Sequence, residues 1–389
     1  MPIRFLTAGE SHGPAVTAIL EGIPAGLQLD IDKVNHELAR RQKGFGSGGR
    51  MKIERDKVNI MGGIMEGKTM GMPISMLVEN LNHKQWQGKE TEPMTAPRPG
   101  HADLTGVVKY GYADLRPSLE RASARETTMR VAVGAICKQF LAAFGIEVRG
   151  YVKSIGEIQA TLNGSQYKAW FDAAEENDLR CPDENAAEKM RMRIAACMQE
   201  KDTLGGVIEI VALNVPIGLG SFAQWDTRLE AKLAQAVMSV QAMKGVEIGD
   251  AFANARMPGT QAHDAILLEG EKLVRPTNRA GGTEGGISNG EPIVIRAAMK
   301  PIASTLTPQK TVDLVTGEET VTTYERSDFC PVPRAVPVLE AVVAIVLADA
   351  LIEKLGGDSL AEMKPRFEAL KQARLSDIAL SGASHIFWD

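Results

Sequence analysis

Along this chain, short runs rich in β-branched residues alternate with longer stretches in which apolar residues return every three or four positions. The runs 16–22 (VTAILEG), 74–79 (ISMLVE), 206–213 (GVIEIVAL) and 292–299 (PIVIRAAM) are bounded by glycine, proline or asparagine, which predicts strands there, many of them joined as hairpins. Helical spacing covers 32–42, 126–144, 184–200, 227–243, 335–355 and 360–374, with Gly145 and Gly356 standing where left-handed C-caps are favoured. The 126–144 segment is apolar on most of its surface, at Met129, Val131, Val133, Ile136, Phe140 and Leu141, so it should lie between layers rather than on one. Val336 to Leu355 is the most apolar stretch, yet Glu340, Asp349 and Glu353 interrupt it and leave a run too short to span a bilayer; it reads as a buried core helix, with no membrane partner implied. No low-complexity linker and no sequence repeat divides the pattern, which predicts one α+β domain over 1–389 with a helical centre flanked by sheets.

Length alone, at 389 residues, would permit two or three domains, but the unbroken alternation favours one. The net charge of −5 argues against nucleic acid as a partner, because neutralising a phosphate backbone needs a basic field over a whole face. Local arginine clusters must therefore serve something smaller. Cys137, Cys181, Cys197 and Cys330 form no CxxC pair, which reads as scattered reduced thiols and suits a cytoplasmic protein. The opening MPIRFLTAGESHG has no apolar h-region of a secretory signal, and the absence of HxxH, HExxH or Cys/His clusters gives no support to a metal site.

Within that frame several motifs carry chemistry. Gly9-Glu10-Ser11-His12-Gly13 sets a titratable imidazole between two glycines, where it can meet a ligand closely; the plain alternative is a polar loop residue. Arg40-Arg41-Gln42-Lys43-Gly44-Phe45-Gly46-Ser47-Gly48-Gly49-Arg50 satisfies GxGxxG literally, but a helix precedes it and a strand-like segment follows, the reverse of a dinucleotide site, so it reads as a mobile basic loop. Arg98-Pro99-Gly100-His101-Ala102-Asp103 projects an arginine and a histidine from one turn. Arg121-Ala122-Ser123-Ala124-Arg125-Glu126 leads into the apolar helix; with Ser123 as cap, free backbone N–H groups and two guanidiniums would meet at a helix N-terminus, a geometry that binds phosphate. The bland reading of these arginines is salt bridges to Glu120 and Glu126. The glycine-rich 278–290 segment permits close backbone approach to a ligand or is an irregular loop, while Lys300 to Thr305 suits a phosphate tail and Arg326-Ser327-Asp328 offers an anion fork with a carboxylate base. Converging arginines imply a polyanionic small ligand.

Taken together, these residues resemble the chorismate synthase family: GESHG at 9–13, RRQ…GGRMKIE at 40–54, RPGHADL at 98–104, RASARET at 121–127, QAMKGVEIG at 241–249, GGISNG at 285–290, KPIAS at 300–304 and RSD at 326–328. The resemblance implies a β-α-β sandwich with central helices between antiparallel sheets, assembled as a homotetramer. It also implies the conversion of 5-enolpyruvylshikimate 3-phosphate into chorismate and phosphate, a 1,4-anti elimination in the shikimate pathway that requires reduced FMN, with NADPH entering only as reductant. By similarity His12 is the acid that protonates the departing phosphate, His101 faces the reduced flavin, and Asp328 helps remove the C6 proton directly or by relay. Arg41, Arg50, Arg98, Arg125 and Arg326 map onto substrate anions, and Arg121, Ala122, Ser123, Gln241, Ala242, Gly285, Lys300, Pro301, Ile302, Ala303, Ser304 and Arg326 onto the flavin. Where many relatives carry arginine in the basic loop, this chain has Ser47. His36, His83, His263 and His385 receive no role. The rival readings are a flavin-dependent NAD(P)H oxidoreductase, which would consume NADPH without another reductase, and a noncatalytic anion-binding scaffold, which would bind without releasing phosphate.

Overall fold

The alternation in the N-terminal strands is explained by a computed structural model, which describes residues 2–47, 55–325, 327–385 and 387. Strands Arg4–Ala8, Ala15–Glu21, Ile74–Glu79 and Asn59–Gly62 form an antiparallel sheet in that order. Val16, Ala18 and Leu20 are buried and stand opposite Val78, Met76 and Ile74 in the register, so these directly facing pairs make the inner face. Leu6 and Ile19 pair on the other face, where both are exposed.

A second antiparallel sheet runs Met243–Ile248, Ile293–Met299, Gly206–Leu213, Glu147–Ile155, Ile158–Gln159. Its middle strand Gly206–Leu213 is apolar almost throughout because both faces are covered: Ile208, Ile210 and Ala212 join the main core, while Val211 and Leu213 join a smaller cluster with Tyr151, Phe171 and Val294. The one acidic residue there, Glu209, is buried but accepts from the Tyr151 hydroxyl and from Arg296 Nε at 2.6 Å.

Helices fill the space between the sheets. Thr127–Ala142 packs on the first sheet and Val332–Leu355 on the second, and the two pack on each other. They approach closely at Gly134, where an added Cβ would stand 2.3 Å from Ala341 Cβ; only glycine permits this crossing. Pro337 removes an N–H from inside Val332–Leu355 and leaves the Pro333 carbonyl without its helical donor; Arg180 Nη1 donates to that carbonyl at 2.8 Å instead. Glu340 on the same helix is fully buried, and it is held by Arg40 at 2.6 and 3.0 Å, by Lys138, and by the Gly150 N–H at 2.8 Å. One carboxylate thus ties both central helices to helix Ile31–Gln42 and to the second sheet. The helix is long and apolar enough to cross a membrane, but it lies buried between the sheets.

The α+β sandwich with helices at its centre agrees with the pattern, and several boundaries move. The predicted helix 227–243 is Leu229–Met238 only, since Ala242 takes a positive φ of 67° and the chain turns into strand Met243–Ile248. The 335–355 helix begins earlier, at Val332, with Pro333 in its first turn where no N–H is needed. The 360–374 helix ends at Glu368. Gly145 is left-handed as expected (φ 75°), whereas Gly356 pairs φ 60° with ψ −178° and is not.

Candidate active site

The first two strands are joined by the loop carrying His12, and Gly9 at φ 104° makes the return possible: a Cβ there would meet Ala15 O at 2.4 Å. His12 is held by helix Arg116–Ala122. Its main-chain N–H donates to Glu120 Oε2 at 2.8 Å, and its Nδ1 lies 2.6 Å from Glu120 Oε1. The ring centroid is 4.5 Å from that of Trp86, and His83 Nδ1 is 2.9 Å from the His12 carbonyl. Asn80, at the end of strand Ile74–Glu79, donates to the Glu10 and Gly13 carbonyls at 3.0 and 2.7 Å and fixes the same loop from below.

From Asn80 a line of polar contacts continues. Asn80 Oδ1 accepts from Arg125 Nε at 2.6 Å, Arg125 Nη1 donates to Asp56 Oδ1 at 2.6 Å, and the other Asp56 oxygen takes Arg41 Nη1 at 3.3 Å. Arg41 also donates to Thr127 Oγ1 at 2.9 Å and to the Ala124 carbonyl at 2.8 Å, and its own carbonyl accepts from Arg334, which pairs with Asp328.

A second arc starts beside Asp328. Ser327 Oγ donates to the Ser304 carbonyl at 2.7 Å, and Ser304 Oγ accepts from Arg98 Nη1 at 2.9 Å. Asp103 binds Arg98 Nε at 2.8 Å and His101 Nδ1 at 2.6 Å. Lys300 Nζ donates to the Gly100 carbonyl at 3.0 Å, and the Lys300 N–H reaches Ala242 O at 3.0 Å. Gln241 donates to Glu126, which accepts from Thr7 Oγ1 at 2.8 Å. Arg121 returns to the Thr7 and Gly9 carbonyls at 2.9 and 3.3 Å, beside His12. The two arcs meet at both ends, so residues from His12 to Asp328 stand around one ring.

Charge in this ring is organised by buried carboxylates. Burial works against the Asp103 charge, but the bonds from His101 and Arg98 outweigh it and hold its carboxyl well below the usual range. Glu120 is likewise held low, burial being overcome by its two bonds from His12. Burial lowers the Arg41 pKa, opposed by Asp56 and reinforced by the nearby Arg334 and Arg125 cations. Lys300 is lowered by burial and then by Lys244, and it has no carboxylate partner among the described residues. Gln241 Oε1 is buried with no hydrogen-bond partner among the described residues. An ammonium without a carboxylate and an orphaned buried acceptor, on segments joined by the Lys300 N–H to Ala242 O bond, fit a ligand that carries both N–H donors and a phosphate.

Comparison with known proteins agrees with this chemistry. The chorismate synthase family model matches residues 3–352. The chorismate synthase of Syntrophotalea carbinolica is 50% identical over 377 residues, covering 94% of this chain and 97% of its own, and that of Aquifex aeolicus is 50% identical over 384, covering 94% and 96%. A crystal structure of chorismate synthase superposes with a TM-score of 0.78 at 44% identity, over 95% of this chain and 97% of that one. The chain belongs to the chorismate synthase family. It is accordingly a carbon–oxygen lyase of the shikimate pathway.

Set against the motifs of this family, the ring brings together His12, Arg41, Arg98, His101, Arg121, Ser123, Arg125, Gln241, Ala242, Lys300, Ser304 and Asp328. Ala122 sits between Arg121 and Ser123 at the end of its helix, and Pro301, Ile302 and Ala303 bridge Lys300 to Ser304, with the Ile302 carbonyl taken by Thr203. Arg50 and Arg326 lie outside the described residues. Gly285 is not joined to the ring: it turns the hairpin Thr283–Ser288 beside Glu230, at the start of helix Leu229–Met238, whereas Gln241 follows that helix's other end. Nearby glycines are needed for backbone packing, since a Cβ on Gly281 would meet Gly249 N at 2.3 Å.

Ser123 is a cap, as expected: its Oγ accepts from the Arg125 N–H at 3.3 Å and opens the 3-10 turn Ala124–Glu126, which runs directly into helix Thr127–Ala142. Glu120 and Glu126 do not neutralise Arg121 and Arg125, because they pair with His12 and Arg130 instead. Asp56, Asn80, Asp103, Glu120, Arg334 and His83 were missed. Asp103 and Glu120 carried a sequence signal, Asp103 two residues from His101 within RPGHADL and Glu120 next to Arg121; the rest lie outside the motifs.

Proposed function

We propose that this ring is where 5-enolpyruvylshikimate 3-phosphate loses phosphate by 1,4-anti elimination to give chorismate, with reduced FMN alongside. The C3–O bond to phosphate breaks and a proton leaves C6, whose C–H electron pair enters the new diene, so the sum involves no oxidation. The closed ring of contacts from His12 to Asp328 is the observation that supports the reading most, because nothing local in the chain requires those residues to meet.

His12, with Nδ1 engaged by Glu120, offers its other ring nitrogen as the acid that protonates the departing phosphate. Arg41 and Arg125 share one carboxylate and so present net positive charge to the substrate anions, and Arg98, paired with Asp103, adds guanidinium donors; Arg50 and Arg326 are proposed as further contacts on the resemblance. Asp328, oriented by Arg334, takes up the C6 proton. Lys300 to Ser304, Gln241, Ala242 and Arg121 to Ser123 would hold the flavin, with Lys300 suited to its phosphate and His101 assigned to its ring on the resemblance. When bound, reduced FMN supplies electron density to the allylic system as phosphate leaves. The exposed apolar face bearing Leu6, Ile19 and Met61 supports assembly as a homotetramer, and four buried free cysteines suit a reducing cytoplasm.

Anaerobic incubation with dithionite-reduced FMN and 5-enolpyruvylshikimate 3-phosphate should yield chorismate and inorganic phosphate in equal amounts. His12→Ala should keep flavin affinity while turnover falls by about 10²–10⁴-fold. Wild-type turnover in that variant would remove His12 from the chemistry.

A further inference from the structure

We infer that Glu120 is the positioning residue for His12, fixing the tautomer and the direction in which its acid nitrogen points; this rests on the role of His12 proposed above. An ionised carboxylate only accepts hydrogen bonds, so the 2.6 Å contact with Oε1 keeps a hydrogen on Nδ1, and the working acid is the imidazolium, which gives its Nε2 proton to phosphate while Nδ1–H stays on Glu120. The other oxygen takes the His12 main-chain N–H at 2.8 Å, so one side chain holds both the ring and the backbone that carries it. The Glu120 carbonyl also accepts the Ser11 N–H at 3.2 Å, which ties the loop to the same residue a third time. Trp86 against the ring and His83 on the His12 carbonyl close further sides, leaving little freedom to rotate. Glu120 is well buried behind the ring, its carboxyl held low against the cost of burial by the bonds from His12, so the ionised acceptor persists at neutral pH.

This double contact makes Glu120→Gln a defined tautomer switch. The His12 main-chain N–H is a fixed donor and selects the amide oxygen, which turns the amide NH₂ toward Nδ1. Nδ1 must then accept, the ring hydrogen moves to Nε2 in the neutral form, and a doubly protonated ring would meet amide hydrogens head on. Shape and volume are almost unchanged.

The test uses the flavin-loaded enzyme with ¹⁵N-labelled histidine. Wild type should show the Nδ1–H signature for His12, and E120Q the Nε2–H signature. E120Q should lose about 100-fold or more in kcat with KM within about threefold, a loss like that seen when an orienting carboxylate is made an amide in a catalytic triad. Glu120→Asp, which keeps the charge, should recover at least about tenfold of that. An unchanged tautomer together with wild-type kcat in E120Q would overturn the inference. If E120Q does not fold, the E120D tautomer signature decides: loss of Nδ1–H there with full activity overturns it too. A fully active His12→Ala enzyme would instead remove His12 as the acid, while the tautomer readout would still report whether Glu120 sets the ring.

Discussion

Replacing Asp56 by asparagine probes the centre of the site. Its side chain is fully buried, and so, nearly, are the two guanidiniums it joins, Arg41 and Arg125, each with 4% of the side chain exposed. An asparagine keeps one acceptor oxygen and replaces the other with an NH₂ that only donates, so whichever way the amide turns, a guanidinium faces a donor instead of an oxygen. Each lost charge-assisted hydrogen bond is worth about 1.5–3 kcal/mol. Leaving a buried charge without its partner costs about 3–5 kcal/mol, and the two figures describe the same loss. Arg41 suffers more, because burial already lowers its pKa and Asp56 is the first group that opposes this, while Arg334 and Arg125 push the same way as burial. The expected destabilisation is about 3–5 kcal/mol, or two to four orders of magnitude in the unfolding constant at roughly 1.4 kcal/mol per tenfold. Against a total of about 5–15 kcal/mol this leaves a folded but marginal protein. Urea unfolding at fixed protein concentration, followed by circular dichroism, would measure it, since association shifts apparent stability. Arg41→Met made in the Asp56→Asn background should cost less than in wild type, by at least about 1 kcal/mol of coupling. A shift under about 0.5 kcal/mol, the range of an ordinary surface substitution, together with full additivity, would refute the shared-carboxylate account.

Two further outcomes follow from the fold and its charges. Gly134→Ala puts a methyl 2.3 Å from Ala341 Cβ, so overpacking of about 1–3 kcal/mol should exceed the roughly 0.5–1 kcal/mol that alanine gains over glycine in a helix; a variant as stable as wild type in urea would contradict the close crossing. In acid, burial opposes the charges of Asp103, Glu120 and Glu340, but their cationic and hydrogen-bonding partners hold all three below the usual carboxyl range. Depressed folded values mean the unfolded chain binds more protons, so this stabilisation is complete above about pH 4–5 and is lost as pH falls through the folded values. Melting temperature should therefore drop steeply below about pH 4, and less steeply in Asp103→Asn; identical slopes would exclude Asp103 from the acid transition.

Much of the architecture was legible because burial is periodic. Strands 74–79 and 206–213 fall where the pattern put them, and 126–144 lies between layers because its apolar residues surround the helix. Strands Arg4–Ala8, Glu147–Ile155 and Met243–Ile248 went unread, having been masked by mixed polarity or absorbed into a neighbouring helix pattern. In the site, motif residues were recognisable one by one, but their partners were not.

The sequence by itself determined the layer order, the buried character of Val332–Leu355 and the candidate residues of the site, because apolar periodicity and short motifs are local properties of a chain. Only the tertiary structure decided which charges meet. Glu340 answers Arg40 across 300 positions, Glu120 answers His12 across 108, and Asp56 binds Arg125 across 69. Such pairings depend on how sheets and helices stack, and Coulomb attraction between groups far apart in sequence leaves no periodic trace by which they could be read beforehand.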